Sequence, residues 1–212
     1  MNLQLALDRL TKEECFGILK ETSDNIDWIE IGTGIIKEYG MELTRQIKKT
    51  YPDKTLVADM KTCDAGRAEA TQAFEAGADI MTVMAFAADK TISDTLEAAR
   101  EHNKRVMVDL LGVTNKQRIE QLRSLGVNLV SIHFGKDMQE TGTMGKEVFS
   151  LVEDTHAMEI AVAGGINLQS LPEVLVYQPD TVIVGSAITK QKDRQKAARE
   201  LKEVMRDHEK GN

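Results

Sequence analysis

The sequence predicts an α/β fold, a single (β/α)8 barrel of the TIM-barrel class, and three observations support this prediction. Short apolar stretches with strand character recur eight times at a steady interval along the 212 residues. Amphipathic stretches with helical spacing separate them. No shift in composition divides the chain, so we interpret residues 1–212 as one barrel domain. An open doubly wound sheet is the alternative with the same alternation.

The strand candidates are runs of aliphatic and β-branched residues bounded by turn residues. Parallel strands covered by helices are buried on both faces, so they require near-continuous apolar runs of about four to eight residues. The candidates span residues 3–7, 26–31, 55–58, 80–85, 105–110, 128–132, 159–163 and 181–184.

The segments between the strands carry helix signals. Thr11 is followed by Lys-Glu-Glu, a capping-box pattern, and the apolar residues at 36, 39, 43 and 47 share one helical stripe. The predicted helices span residues 11–19, 36–48, 67–76, 91–101, 117–125, 146–153, 168–174 and 192–206.

Composition excludes several classes of protein. The net charge of −7 and the lack of a basic run argue against nucleic-acid binding. No apolar run has membrane-spanning length and no signal-peptide pattern is present, so we expect a cytoplasmic protein without membrane contact. Two cysteines are too few for a disulfide framework. Cys15 fits a helix core, and Cys63 lacks a nearby histidine to serve as its base.

The densest group of chemical side chains is Val-Ala-Asp-Met-Lys-Thr-Cys-Asp-Ala-Gly at residues 57–66. Strand side chains alternate, so Asp59 and Lys61 are expected to face the same way. Burying charge is costly unless it is paired, so an inward acid and ammonium indicate a site that binds a cation and stabilises a developing anion. The alternative is a structural ion pair at the end of a strand.

In such a barrel the reacting groups lie at the C-terminal ends of the strands. The polar and glycine residues expected there are Asp8, Glu30, Gly32, Thr33, Asp59, Lys61, Asp109, His133, Gly135, Lys136, Asp137, Gly164, Gly165, Gly185 and Ser186.

Each main candidate also has a structural interpretation. Asp8 would cap the first helix, and Glu30 would face the same way as Trp28 as a buried pair partner. Asp109 would be a solvated turn residue, and His133 a core histidine. The convergence of several such groups on one rim favours a functional site.

Two glycine turns follow the last two strands. Gly164-Gly165 and Gly185-Ser186 keep bulk away from the backbone, and loops at this place in barrels commonly bind phosphate through amide N–H groups. Plain turn glycines are the alternative.

Two other ligand types are disfavoured. The Gly-x-Gly at residues 32–34 does not complete a dinucleotide fingerprint. His102, His156 and His208 lie in or near helices, are expected at the surface and form no metal-ligand spacing.

These motifs resemble the 3-hexulose-6-phosphate synthase family, which belongs to the orotidine 5′-monophosphate decarboxylase suprafamily. Asp-Met-Lys-Thr-x-Asp-Ala-Gly at 59–66 is similar to the signature of that family, and the resemblance covers the whole chain. The other matching stretches are residues 3–8, 29–33, 108–110, 133–142, 163–165 and 184–185.

The resemblance implies an aldol reaction. Ribulose 5-phosphate loses a C1 proton to give a 1,2-enediolate, which attacks formaldehyde and forms 3-hexulose 6-phosphate. Such an enediolate needs positive charge at its oxygens, and Glu30 and Asp59 suit Mg²⁺, with Mn²⁺ as a substitute. His133 is the expected base because histidine titrates near neutral pH, and the resemblance implies that Lys61 hydrogen-bonds the enediolate.

The resemblance also implies partners. Asp8, Asp64 and Asp109 would position substrate hydroxyls and Lys61, and the residue equivalent to Asp64 reaches the partner subunit's site, which implies a homodimer. A 6-phospho-3-hexuloisomerase would be the functionally coupled enzyme.

Two other functions remain open. The related 3-keto-L-gulonate-6-phosphate decarboxylase (KGPDC) typically has arginines where this chain has Lys136 and Ser186, and commonly glutamate at Asp109. These departures favour the synthase. Orotidine-phosphate decarboxylase lacks the Asp-Ala-Gly continuation. A non-catalytic barrel that binds sugar phosphates is the alternative of a different class, and the full set of acid, base and cation groups argues against it.

Overall fold

The computed structural model describes residues 1–140, 146–153 and 158–211, and its strands form a closed parallel barrel in the order β1 to β8. Closure is made by β1 and β8, where Leu3 pairs with Val182 and Leu5 with Val184. The predicted barrel is confirmed, and the open-sheet alternative is wrong because these two edge strands are hydrogen-bonded to each other.

The strands start within two residues of their predicted positions. They are β1 Asn2–Leu7, β2 Trp28–Ile31, β3 Thr55–Thr62, β4 Ile80–Met84, β5 Arg105–Asp109, β6 Leu129–His133, β7 Glu159–Ala163 and β8 Thr181–Val184. β3 runs four residues past its predicted end at residue 58, and this extension carries Asp59 and Lys61 into the strand.

Helices follow the strands around the barrel. They are α1 Lys12–Thr22, α2 Thr33–Thr50, α3 Gly66–Glu75, α4 Asp89–Glu101, α5 Lys116–Ser124, α6 Lys146–Ser150, α7 Leu171–Leu175, α8 Ser186–Thr189 and α9 Arg194–Gly211.

Local hydrogen bonds explain where helices agree with the prediction and where they differ. The capping box of α1 is confirmed, since Glu14 N donates to Thr11 Oγ1 and Thr11 N donates to Glu14 Oε2. α7 begins later than predicted because Asn167 Oδ1 accepts the amides of Gln169 and Ser170 and holds a turn there. The short helix α8 after β8 was not predicted.

Two apolar layers hold the barrel together. Alternate strand residues such as Leu3, Leu5 and Leu7 pack outward against the helices in the larger core. The opposite set fills the barrel interior and comprises Trp28, Val57, Ile80, Met107, Leu129, Ala161 and Ile183. These side chains fill the N-terminal part of the barrel interior, and the open cavity lies on their C-terminal side.

Aspartates directly before β2, β4 and β8 connect neighbouring strands at the N-terminal end of the barrel. Asp27, Asp79 and Asp180 each accept a backbone N–H from the preceding strand, at 2.7, 2.9 and 2.8 Å. Burial opposes the charge of Asp79, but Lys104 and Lys48 outweigh it and hold the pKa of that carboxyl below its usual value. These bonds lie at the end opposite the candidate site, which marks them as structural.

No helix within the described residues is long and apolar enough to cross a membrane.

Two glycines give a matched test of helix packing. A Cβ at Gly66 would lie 2.2 Å from Thr91 O in α4, whereas a Cβ at Gly17 in α1 would meet nothing within 4 Å. We expect Gly66→Ala to destabilise the fold by about 1–3 kcal/mol. Gly17→Ala is expected to stabilise it by about 0.5–1 kcal/mol, because alanine has a higher helix propensity than glycine and its Cβ meets no obstruction there.

Urea unfolding of both variants and the parent chain measures the two effects. Equal unfolding midpoints for the two variants would show that α3 and α4 are not packed as closely as described.

Candidate active site

A cavity of about 530 Å³ opens at the C-terminal ends of the barrel strands. Of the residues that the sequence pointed to, those that line this cavity include Asp8, Glu30, Asp59, Lys61, Asp109, His133, Gly164, Gly165, Gly185 and Ser186. The barrel therefore brings groups from most of its strands, and from the loops that follow them, to one place. Asp64 does not line the cavity of its own chain.

Lys61 lies at the centre of a charged cluster. Its Nζ donates to both carboxylate oxygens of Asp59 at 2.9 Å and to Asp109 Oδ2 at 3.0 Å. Burial alone would lower the pKa of Lys61, but the two carboxylates outweigh it and raise that pKa. The ammonium therefore stays charged at every physiological pH.

The backbone of Lys61 departs from regular strand geometry. Its φ is +49°, and the β3–β4 register shifts between Ala58 and Thr62. Lys61 and Asp59 do face each other, but regular alternation is the wrong reason for it. A bulge turns the lysine back towards the aspartate, and a left-handed conformation at a non-glycine residue is a strain typical of functional sites.

Two threonines hold Asp59: Thr33, which the sequence placed at the strand ends, and Thr82, which sequence reasoning missed. Thr82 Oγ1 accepts the Lys61 amide at 2.9 Å and donates to Asp59 Oδ1 at 2.8 Å, while Thr33 Oγ1 donates to Asp59 Oδ2 at 2.8 Å. Thr82 is thus joined both to the bulge and to the carboxylate. The available signal was a hydroxyl at an inward position of the otherwise apolar strand β4.

Asp109 and His133 form a second pair. His133 Nδ1 lies 2.8 Å from Asp109 Oδ2, and the Leu111 amide donates to Asp109 Oδ1 at 2.8 Å. Asp109 is only 2% exposed, so the solvated-turn interpretation is wrong.

The contact between His133 and Asp109 shifts the pKa of each partner towards its charged form. Burial opposes the charged imidazolium, but the hydrogen bond and charge of Asp109 raise the pKa of His133. Burial likewise opposes the carboxylate, and His133 and Lys61 hold the pKa of Asp109 below its usual value.

Glu30 and Gln4 lie deeper in the barrel. Gln4 Nε2 donates to Glu30 Oε2 at 2.6 Å, so the pair partner of Glu30 is an amide. Burial, and next the charge of Asp59, raise the pKa of Glu30 to about 7. Gln4 Oε1 is buried and has no hydrogen-bond partner among the described residues. Sequence reasoning missed Gln4, whose signal was a polar residue inside an apolar strand.

Asp8 does not cap the first helix. Its Oδ1 accepts the Gly34 amide at 3.0 Å in the first turn of α2, and its Oδ2 accepts from Arg9 Nε at 3.2 Å. Asp8 therefore links the first loop to the second, at the rim of the cavity.

Asp64 and the two cysteines do not line the cavity. The N-cap of α3 is Ala65, with φ of +51°, so Asp64 does not cap this helix. Asp64 and Cys63 are exposed, whereas Cys15 is buried and burial raises its pKa to about 11.

The opposite side of the cavity is built from small residues. A Cβ at Gly164 would lie 2.4 Å from Phe134 O, and Gly164 and Gly165 have φ of +128° and +67°. Glycine is thus required there by packing and by conformation. Lys190 and Arg9 also line the cavity, and sequence reasoning missed both cations.

Two of the other histidines take no part in the site. His102 is partly buried rather than superficial, with Nδ1 2.9 Å from Ala98 O and its ring beside Phe74. His208, in α9, is also partly buried. Residues 142 and 156, which the sequence also pointed to, lie outside the described residues. Within the part of the chain that the structure describes, no group of three or more His, Cys, Asp and Glu side chains is arranged to hold a metal ion.

Known proteins match this chain over nearly its full length. The model of the orotidine 5′-phosphate decarboxylase / HUMPS family matches residues 1–201. The 3-hexulose-6-phosphate synthase of Bacillus subtilis (strain 168) is 37% identical over 207 residues, which cover 97% of this chain and 99% of the relative.

Solved structures give the same picture. The 3-hexulose-6-phosphate synthase of Salmonella typhimurium superposes with a TM-score of 0.95 at 36% identity, covering 98% of this chain and all of that one. A structure of KGPDC from Streptococcus mutans has a TM-score of 0.92 at 28% identity, covering 97% of both chains.

The His133–Asp109 contact makes a prediction about pKa. Asp109→Asn removes the main charge that raises the pKa of His133 and leaves burial and the Lys61 charge opposed only by the smaller effect of Asp59, so we expect that pKa to fall below its ordinary value. Titration of the imidazole carbon-bound protons by NMR measures it, with His133→Asn to assign the signal. An unchanged or higher pKa in Asp109→Asn would contradict the geometry.

The same contact affects stability. Since the folded pKa of His133 is raised, the pair stabilises the parent chain below the ordinary histidine pKa, and this contribution is lost as pH rises through the folded pKa. In unfolding experiments at several pH values, the Asp109→Asn variant is expected not to show this loss of stability as pH rises.

Proposed function

Because the chain belongs to the orotidine 5′-phosphate decarboxylase / HUMPS family, we propose that it is a 3-hexulose-6-phosphate synthase. The proposed reaction joins formaldehyde to D-ribulose 5-phosphate and gives D-arabino-hex-3-ulose 6-phosphate, and it is reversible, as for an aldehyde-lyase. The observation that carries this proposal is the Lys61–Asp109–His133 arrangement, a half-buried cation beside a base held by a buried carboxylate.

His133 is the proposed base. Asp109 bonds Nδ1 and favours the tautomer with its proton there, so Nε2 is the nitrogen that accepts the C1 proton of ribulose 5-phosphate. Asp109 also stabilises the imidazolium that forms, as its effect on the pKa of His133 indicates.

Lys61 stabilises the enediolate. Loss of the C1 proton moves negative charge onto the C2 oxygen, and the Lys61 ammonium is already held in position in the cavity by Asp59 and Asp109. A preorganised cation at this place requires little rearrangement during the reaction.

Bond formation then returns the enzyme to its starting state. The enediolate C1 attacks the formaldehyde carbon, the C2 carbonyl re-forms, and the carbonyl electron pair of formaldehyde moves to its oxygen. That oxygen takes the proton held by His133, so no proton is gained or lost overall.

Glu30 and Asp59 are the residues that would hold Mg²⁺, or Mn²⁺ in its place. Their hard oxygen atoms fit such a cation, and a cation would offset the burial and the Asp59 charge that raise the pKa of Glu30. Asp59 also bonds Lys61 and two threonines, so it would share its oxygens. When bound, the cation supplies further positive charge at the substrate oxygens.

The small-residue side of the cavity is the proposed phosphate site. Gly164-Gly165 and Gly185-Ser186 keep the backbone accessible, and amides in the first turn of a helix have no intrahelical partner. Lys190 and Arg9 add positive charge at the same rim. Asp8 stands beside Arg9, where it would position a substrate hydroxyl.

The assembly and setting are proposals of the same kind. Asp64 is exposed and does not line its own cavity, which supports a homodimer in which it reaches the partner's site. We place the enzyme in the cytoplasm, in formaldehyde fixation by the ribulose monophosphate pathway, functionally coupled to a 6-phospho-3-hexuloisomerase.

Two alternatives are less well supported. KGPDC from Streptococcus mutans is 28% identical, against 37% for the synthase of Bacillus subtilis, and Lys136, Ser186 and Asp109 depart from the typical decarboxylase residues. A non-catalytic binding barrel would not require a half-buried lysine and histidine in contact with buried carboxylates.

The first test is turnover. We expect ribulose 5-phosphate to be consumed only when formaldehyde is present, with little or no release of CO₂ from 3-keto-L-gulonate 6-phosphate. EDTA should abolish the activity and Mg²⁺ or Mn²⁺ should restore it, while Glu30→Gln should lose most turnover with the fold intact. Full activity after metal stripping would exclude the metal, and decarboxylation alone would identify the alternative enzyme.

The second test isolates proton removal. In D₂O without formaldehyde, the parent chain should exchange the C1 proton of ribulose 5-phosphate for deuterium, and His133→Asn should not. NMR measures the exchange, and persistent exchange in the variant would reassign the base to a carboxylate, Asp8 or Asp64.

The third test concerns the shared site. Lys61→Ala and Asp64→Ala are each expected to be inactive, but a mixed dimer would contain one site free of both defects. Random reassortment should restore about a quarter of parent activity. If subunits exchange, as shown by mass-labelled copies, and activity stays at background, Asp64 acts within its own chain.

A further inference from the structure

One hydroxyl group in the lower cavity differs from its neighbours. Thr33 and Thr82 both donate to Asp59. Ser131 also lines the cavity and is 4% exposed, yet its hydroxyl donates to no residue within the described parts of the chain.

Ser131 lies next to the groups that carry the proposed chemistry. It pairs in register with Asp109 on β5 and precedes His133 by two residues on β6. Strand residues two apart face the same way, and each residue advances about 3.3 Å, so Ser131 lies about 6–7 Å deeper in the barrel than His133.

The surroundings define what this hydroxyl can bind. Met107 and Ile183 are apolar residues that line the cavity. Gln4 donates to Glu30 Oε2, and both carboxylate oxygens of Asp59 already accept hydrogen bonds. The serine hydroxyl faces the cavity and donates to no acceptor within the described residues, so it can donate to a small ligand that carries one acceptor atom. Formaldehyde has this chemistry, with a single carbonyl oxygen and one carbon.

We infer that the Ser131 hydroxyl binds the oxygen of formaldehyde in the lower cavity and is a specificity-determining residue for the one-carbon substrate. This inference rests on the proposed synthase function. As the enediolate C1 bonds to the formaldehyde carbon, negative charge grows on the formaldehyde oxygen. Ser131 donates a hydrogen bond to it until His133 returns the proton taken from C1, so Ser131 itself neither gains nor loses a proton.

The inference separates two steps of the reaction. Proton exchange at C1 requires no formaldehyde, whereas condensation does. We therefore expect Ser131→Ala to lower kcat/KM for formaldehyde about 3- to 10-fold, the effect of one lost hydrogen bond. C1 exchange in D₂O without formaldehyde should change by less than about 2-fold. Ser131→Cys, with a weaker donor of similar size, should fall between Ala and the parent.

His133→Asn is the matched control, because it should lose exchange and condensation together. Thermal unfolding of every variant confirms that the barrel is intact. Equal losses of exchange and condensation in Ser131→Ala would place Ser131 in proton removal and overturn the inference. Unchanged kcat/KM for formaldehyde would overturn it as well. Failure of the synthase function itself appears separately, as absence of condensation in the parent chain.

Discussion

The upper half of the barrel depends on one half-buried cation, the Lys61 ammonium held between Asp59 and Asp109. Two carboxylates facing one cavity repel each other, and the lysine makes their proximity tolerable. Removing one member of such a cluster leaves uncompensated charge, at a cost of about 3–5 kcal/mol. Stability does not explain why the cluster is present, because apolar residues of similar size often serve equally well or better.

The bulge at Lys61 shows how the chain accommodates this cation. A regular strand would not carry the lysine through a positive φ, and the Thr82 hydroxyl compensates by binding the Lys61 amide and Asp59 together. A single side chain on the neighbouring strand thus couples backbone strain to carboxylate orientation. Strain supported in this way is typical of preorganised sites.

The barrel divides its interior into two chemically different sides. Charged groups come from β3, β5 and β6, where Lys61, Asp109 and His133 are in contact. Small residues come from β1, β7 and β8, where Ala6, Ala163 and the glycine turns leave space. An extended sugar phosphate therefore has room on one side and reactive groups on the other, as the proposed reaction requires.

Sequence periodicity alone determined the eight strands, their order of alternation with helices and the rim on which polar residues gather, because burial on both faces of a parallel strand leaves a clear apolar pattern. Only the tertiary structure decided that Asp109 is buried against His133, and that Gln4, Thr82 and Ser131 face the cavity. These contacts join residues far apart in sequence, across neighbouring strands, and a hydroxyl or amide within an apolar run carries no local sign of its partner.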